Sequence, residues 1–477
     1  MADSPARTRL ARRVAANTTA QLAGKAAVLL VAAGSIAVLT RYLGPSDYGR
    51  YGLALSVMQL FGVFADAGLT TIVVRESARH PERTAELVGN ALTLRMLLSL
   101  AVIALAGLGS FVLPYEPKVQ LAIVIAGVPL LFGGLTSTAT AVLQTELRMA
   151  RAAIAEVVGR VASFAAVIAV VLLDLGFYAA VGAGGVGAAV TLLVTWRLTR
   201  PLAPIAFRAA TGTWRSLIGA SLPVGLALAL NEIYVRADTI IISAYRDFDE
   251  VGAYALAYRI LEVTSLAGTA FLTSVFPLMS RQAGADVAGL RRTLQTAWDA
   301  FLMLGTPLAI CGAVVAPQVV DLAAGADFAD AADPLRILLF AGALAFVNGV
   351  LGFGLIATDR QRRALWLNVV GLTANVGLNL VVVPAHGIVG AATVTVFTEI
   401  IVLAGGLWLS RRHLDFTPRV GVLVPAAGAA GIAAAVLLAL PFDALVLLAP
   451  LAVALYGGLL LAFSPRAREL VNAGLDR

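Results

Sequence analysis

Apolar residues fill this chain in about fourteen stretches of roughly 20–25 residues, parted by short polar connections. A helix of that length, rising ~1.5 Å per residue, spans the ~30 Å hydrocarbon core of a bilayer. The pattern predicts helices over 18–40, 51–74, 87–112, 119–143, 152–173, 177–198, 216–243, 251–276, 297–322, 335–357, 364–383, 387–410, 420–440 and 443–463. Inside lipid, backbone polar groups must be satisfied within the segment, which leaves helices as the open-ended solution. The expected fold class is an all-α integral membrane protein of about fourteen transmembrane helices.

Charge orients these helices. Lys and Arg avoid every second connection. With the N-terminal side called inside, the inside segments carry Arg7, Arg9, Arg12 and Arg13, then Arg75, Arg79 and Arg83, then Arg148 and Arg151. The pattern continues with Arg197, Arg200, Arg208 and Arg215, with Arg281, Arg291 and Arg292, and with Arg360, Arg362 and Arg363. Arg411, Arg412 and Arg419 follow, then Arg466, Arg468 and Arg477. The outside connections hold only Arg41, Arg50, Lys118, Arg246 and Arg336. Cytoplasmic loops of membrane proteins are enriched in cations, so both termini are expected in the cytoplasm.

Composition narrows the function classes. Hydrophobic residues make up 60% of the 477 residues and charged residues 13%, and mean hydropathy is +0.89. A net charge of +7 would suggest nucleic acid in a soluble protein. The alternation instead assigns the excess to loops beside anionic lipid, so no nucleic-acid partner is expected. One cysteine, Cys311, forms no disulfide framework. The basic N-terminus runs into a long span without a small-residue cleavage site, which reads as a retained first helix. No connection exceeds about 20 residues, which leaves no room for an external catalytic domain of the kind polytopic glycosyltransferases carry. His80, His386 and His413 lie apart in connections. No metal cluster, phosphate-binding loop, nucleophile triad or redox pair is present in the sequence, so a cofactor-free transporter is expected and any driving force is secondary.

The chain also repeats itself. Gly49, Tyr51, Leu53 and Ala54 recur as Gly252, Tyr254, Leu256 and Ala257, and Val186–Ala189 recur as Val389–Ala392 at the same offset. Two blocks at one offset indicate duplication. An even number of spans separates the copies, so the repeats are parallel, related by an axis along the membrane normal. Two six-helix lobes, 1–205 and 206–410, are expected, with 411–477 adding two helices and a cytoplasmic tail.

At these residues a family resemblance emerges. The run Arg41-Tyr-Leu-Gly-Pro-Ser-Asp-Tyr-Gly-Arg-Tyr51, the segment Asp66-Ala-Gly-Leu69 and the pair Arg75-Glu76 resemble the N-terminal signature of the polysaccharide-biosynthesis flippases. These are the O-antigen and exopolysaccharide exporters of the multidrug/oligosaccharidyl-lipid/polysaccharide (MOP) superfamily. Phe276–Ser280 is similar to the family's eighth-helix end, and Asn379–Ala392 to its junction of helices eleven and twelve. The resemblance implies a MATE-like fold in the cytoplasmic (inner) membrane. It also implies flipping of an undecaprenyl-pyrophosphate-linked oligosaccharide from inner to outer leaflet by alternating access, and a monomer is expected. The same superfamily offers a lipid II flippase and a multidrug exporter as alternatives. Fourteen spans disfavour the twelve-span drug exporters. A polytopic glycosyltransferase or ligase is the reading from a different class.

Ionisable residues inside spans are costly and so are candidates for function. Glu156 with Arg160, Glu232 with Arg236, and Arg259 with Glu262 have the spacing of helix-neighbour pairs. Either these pairs neutralise one another for insertion, or Arg236 and Arg259 bind the lipid pyrophosphate, to which a guanidinium fork is suited. Flippases of the resembled family place essential arginines on the first, second and eighth helices of a central cavity. Arg259 matches on the eighth and Lys25 loosely on the first, while the second offers only Asp66. Asp66, Asp238 and Glu262 are candidates for coupling to Na⁺ or a proton, with Lys25 or Arg95 as alternative partners for Asp66. Asn368, Asn375 and Asn379 fall within about 40° of one another around a helix. They either bond to a neighbouring helix or line the cavity and meet sugar hydroxyls.

Overall fold

The computed structural model describes residues 5–112, 115–146, 148–203, 206–439 and 445–469. Side chains are described from residue 28 onward, save at 29, 223–224, 227–228, 231, 266–267, 269–270, 273, 285 and 445–451. The described residues are helical with short connections and include no strand. The chain divides into two compact units, Met1–Arg236 and Ala237–Arg477.

The first unit holds α1 (Pro5–Asp66), α2 (Leu69–Arg79), α3 (Thr84–Ser110), α4 (Pro117–Thr145), α5 (Met149–Leu172), α6 (Gly176–Thr199) and most of α7 (Thr211–Tyr245). α1 covers two predicted spans and kinks at Gly44, whose φ of 68° no helix allows, just before Pro45. The predicted span 51–74 does not run through. Ala67 (φ 43°) and Gly68 (φ 75°) break it, and α2 continues as a short helix burying Leu69, Ile72, Val73 and Ser77 on one side. That face joins Val88, Leu92, Leu135, Ala139 and Leu217 in the core of the unit.

Connections gather at opposite ends of this unit. At one end the Tyr42 hydroxyl donates to Asp174 at 2.8 Å, and Lys118 donates to Asp47 at 2.7 Å. At the other, the Ala210 N–H donates to Asn90 at 2.7 Å. α5 and α6 approach closely because both are glycine at the crossing. A Cβ on Gly187 would stand 2.6 Å from the Gly159 carbonyl oxygen, and one on Gly159 would stand 2.8 Å from that of Gly187. Small residues do this in membrane helices, where packing rather than hydrophobicity drives association.

The second unit holds the end of α7, then α8 (Phe248–Ala285), α9 (Val287–Ala324), α10 (Ala332–Ala357), α11 (Gln361–His413), α12 (Leu423–Ala439) and α13 (Leu445–Phe463). Phe271, Phe301 and Phe346 interlock in its core at ring separations of 5.3 and 5.2 Å. α11 covers two predicted spans and turns back at Gly387, where φ is 55°. A Cβ there would meet Glu250 Oε2 at 2.5 Å and Arg246 Nη2 at 2.7 Å. The two arms of α11 pack side by side, with Leu367 against Gly405.

α12 lies on α9 through Ala426 and Ala429, and the Tyr456 hydroxyl of α13 donates to the Met303 carbonyl of α9 at 2.6 Å. Polar contacts fasten the same pair. Arg466 donates to the buried Asp299 at 3.0 Å, and Gln295 bonds both Asp299 at 2.7 Å and the Arg419 carbonyl at 3.0 Å.

Candidate functional site

Two polar clusters stand inside the second unit. The first centres on Asp238, near the end of α7 and only 2% exposed. Its carboxylate accepts from the Tyr254 hydroxyl of α8 at 2.8 Å, from the Asn379 amide at 2.9 Å and from the Thr395 hydroxyl at 3.0 Å. The Asn379 amide also reaches Asn375 Oδ1 at 3.3 Å. The arms of α11 on either side of the Gly387 turn thus both converge on one carboxylate. Among the described residues no cation lies within ion-pair distance of it. The Asn379 Oδ1 is buried without a hydrogen-bond partner. A carboxylate, an orphaned amide oxygen and two hydroxyl oxygens form a hard-oxygen set of the kind that holds small cations or a proton.

The second cluster is on α8. Arg259 donates to Glu262 at 2.8 Å, with side chains 41% and 25% exposed. This is a charge pair open to its surroundings within a predicted span. Glu399 and Asn348 make a further polar contact between α11 and α10, at 2.7 Å.

In the first unit Arg236 donates to Glu232 at 3.0 Å. Asp66 sits at the break after α1, where Arg95 of α3 pairs with it and also donates to the Ala65 carbonyl at 3.1 Å. Thr70 donates to the same carboxylate at 2.9 Å. Asp66 is therefore committed to Arg95, the alternative weighed above.

The expected residues are distributed unevenly. Asn375 and Asn379 are buried and face Asp238, whereas Asn368, two turns nearer the start of α11, is exposed and outside that cluster. Glu156 and Arg160 are exposed and make no ion pair with each other, although their spacing allows one. The side chain of Lys25 lies outside the described residues. Sequence reasoning missed Tyr254 and Thr395 as partners of Asp238. Tyr254 was visible only as a repeat position, and Thr395 as an ordinary hydroxyl in a span.

The profile of the polysaccharide biosynthesis protein family matches residues 14–282, more than half of the chain. The chain belongs to this family. A second profile, MatE, matches residues 223–381. Among curated relatives, the chain is 24% identical over 368 residues to the probable low-salt glycan biosynthesis flippase Agl15 of Haloferax volcanii, covering 76% of this chain and 75% of that one. It is 25% identical over 323 residues to the succinoglycan biosynthesis transport protein ExoT of Rhizobium meliloti, covering 67% of this chain and 60% of that one. The fold is similar to that of the lipid II flippase MurJ in an inward closed conformation, with a TM-score of 0.78, 13% identity and coverage of 95% and 99% of the two chains. It is also similar to an inward-facing multidrug resistance MATE transporter of the MOP superfamily, with a TM-score of 0.65, 17% identity and coverage of 81% and 94%. The all-α membrane fold expected from the pattern, and the polysaccharide-biosynthesis flippases of the MOP superfamily expected from the resemblance, are therefore found. This family member is a multi-pass membrane transporter and not an enzyme, which removes the glycosyltransferase reading.

Proposed function

We propose that the chain flips an undecaprenyl-pyrophosphate-linked oligosaccharide from the inner to the outer leaflet of the cytoplasmic membrane. It has both termini in the cytoplasm and works as a monomer. The glycan-handling names of its curated relatives point to that cargo class. The observation that carries the reading is the exposed Arg259–Glu262 pair within a span of α8. A guanidinium so placed can leave its carboxylate for a phosphate, and the planar fork grips two oxygens at once. Arg236, Lys25 and the amide of Asn368 are the other cargo candidates, while Asn375 and Asn379, first candidates for the cargo too, are buried against Asp238 and belong to its cluster.

Two six-helix lobes, 1–205 and 206–410, rock about the cargo, while 411–477 adds two helices outside their symmetry. Asp238 is the coupling residue. Its oxygen-rich cluster, with the orphaned Asn379 oxygen, takes up Na⁺ or a proton as the transporter cycles. Asp66 and Glu262 are less suited to coupling, since each already holds an arginine.

Deletion of the gene followed by analysis of lipid-linked sugars tests the reading. Accumulation of the intact lipid-linked oligosaccharide on the inner leaflet supports it. Normal export of that glycan together with lost drug resistance or lost peptidoglycan synthesis supports one of the superfamily alternatives.

A further inference from the structure

The two cytoplasm-side ends of α11 share one arrangement. At its start, Arg362 and Arg363 stand four and three residues before Trp366. At its end, Arg411 and Arg412 stand three and four residues after Trp408. Each tryptophan thus shares a helix face with its arginines and lies one turn deeper into the span. Trp366 and Trp408 are 68% and 59% exposed. Their direction follows from the helix period. Trp366 is nine residues from the buried Asn375, and Trp408 nine from the buried Glu399, a rotation of about 180° in each arm. Both rings therefore point away from the unit's interior. The arms touch at Leu367 and Gly405, which sets the two arginine pairs beside each other.

Several cations of that side are paired within the chain. Arg75 pairs with Glu76, Arg83 with Glu86, Arg291 with Asp415 and Arg466 with Asp299. Arg362, Arg363, Arg411 and Arg412 are exposed, and among the described residues none has a carboxylate within ion-pair distance, although Asp359 is near in sequence. Arg412 instead lies over the Trp408 ring at 5.5 Å. The charges of Arg363, Arg360 and Arg412 also all bear on His413. Among the described residues, the patch is a concentration of positive charge with no carboxylate paired to it.

We propose that the outward side of the α11 hairpin binds a diphosphatidylglycerol-type phospholipid, its two phosphodiesters held by Arg362/Arg363 and Arg411/Arg412 and its glycerol backbones against Trp366 and Trp408. Arginine forks match phosphate oxygens, tryptophan settles at the carbonyl level of the interface, and basic sites between membrane helices take anionic headgroups with several phosphates. Two arginine pairs on adjoining arms suit two linked phosphates better than one. The proposal commits to bulk membrane lipid, and the undecaprenyl pyrophosphate arm of the test separates it from the cargo reading.

The test uses the purified full-length chain in detergent. Diphosphatidylglycerol should raise its melting temperature by several degrees. Phosphatidylcholine should not, and R362Q/R363Q/R411Q/R412Q should lose the response while R75Q/R83Q keeps it. Should the fourfold variant fail to fold, a second measurement decides. Brominated diphosphatidylglycerol should quench tryptophan emission more than brominated phosphatidylcholine at equal mole fraction, and W366F/W408F should lose that difference. Equal quenching by the two lipids, an unchanged response in the folded arginine variant, or stabilisation by undecaprenyl pyrophosphate in place of diphosphatidylglycerol would overturn the proposal.

Discussion

The side-chain amide of Asn379 donates to the carboxylate of Asp238 at 2.9 Å, tying α11 to α7 where both residues are almost fully buried. Thr395 adds a second bond from the returning arm of the same hairpin. One carboxylate therefore fixes the mutual position of α7, α8 and both arms of α11. Any ion that replaces a donor there loosens several helices at once.

The Asp238→Asn variant tests this. An amide offers one acceptor oxygen where the carboxylate offers two, so at least one of the Tyr254, Thr395 and Asn379 donors loses its partner. Leaving a buried donor unsatisfied costs about 1–3 kcal/mol. The variant should reach the membrane, melt a few degrees lower in detergent, and lose any dependence of melting temperature on Na⁺ or pH that the parent shows. An ion response unchanged from the parent would remove Asp238 from coupling.

Helix crossing in the first unit gives a packing prediction. Replacing Gly187 by Leu forces a side chain into the Gly159 carbonyl and the Ser163 Cβ, which already lies 2.5 Å from where a Cβ would sit. Overpacking of this kind costs about 1–3 kcal/mol. Membrane abundance and melting temperature should both fall, while Gly212→Leu, where nothing lies within 4 Å, should leave them unchanged.

The terminal helices are fastened by Arg466. Its removal leaves Asp299, 3% exposed, with Gln295 as its remaining polar partner. A broken buried ion pair costs about 3–5 kcal/mol, and the 42% exposure of Arg466 reduces that here. Arg466→Ala should lower the melting temperature, and Arg466→Ala with Asp299→Leu should recover most of the loss. A double variant as unstable as the single one would show that packing of α12 and α13, and not the pair, holds them.

Topology is testable by reporter fusion. Fusions after Arg75, Arg208 and Arg362 should report the cytoplasm, and those after Asp47, Asp249 and Asp330 the outside. The gathering of Tyr42, Asp47, Lys118 and Asp174 at one end of the first unit supports that alternation. Reversal at two or more sites would contradict it.

Much of the architecture was legible because the bilayer acts as a second solvent. Span length, arginine alternation and the turn at Gly387 between the eleventh and twelfth spans all follow from local sequence. The break at Ala67–Gly68 was hidden, since Thr70 through Val74 continue the apolar run in sequence while the backbone turns away. The site was legible in part. Asp238, Asn375 and Asn379 were visible as polar residues in apolar spans, but their convergence depends on helix packing. Thr395 lies 157 residues from Asp238, and Arg466 lies 167 from Asp299, beyond any local rule. The Glu156–Arg160 spacing fits an ion pair, yet the two exposed side chains do not meet, which nothing in the structure explains.

The central claim is transport of a lipid-linked oligosaccharide past Arg259. The most direct measurement reconstitutes the purified chain in vesicles carrying undecaprenyl-pyrophosphate oligosaccharide in the inner leaflet and follows its exposure to an external glycosidase. The parent should expose the glycan, Arg259→Lys should do so in part because lysine keeps charge but lacks the fork, and Arg259→Ala at equal incorporation should not. Full exposure by Arg259→Ala, or none by the parent, would contradict the account.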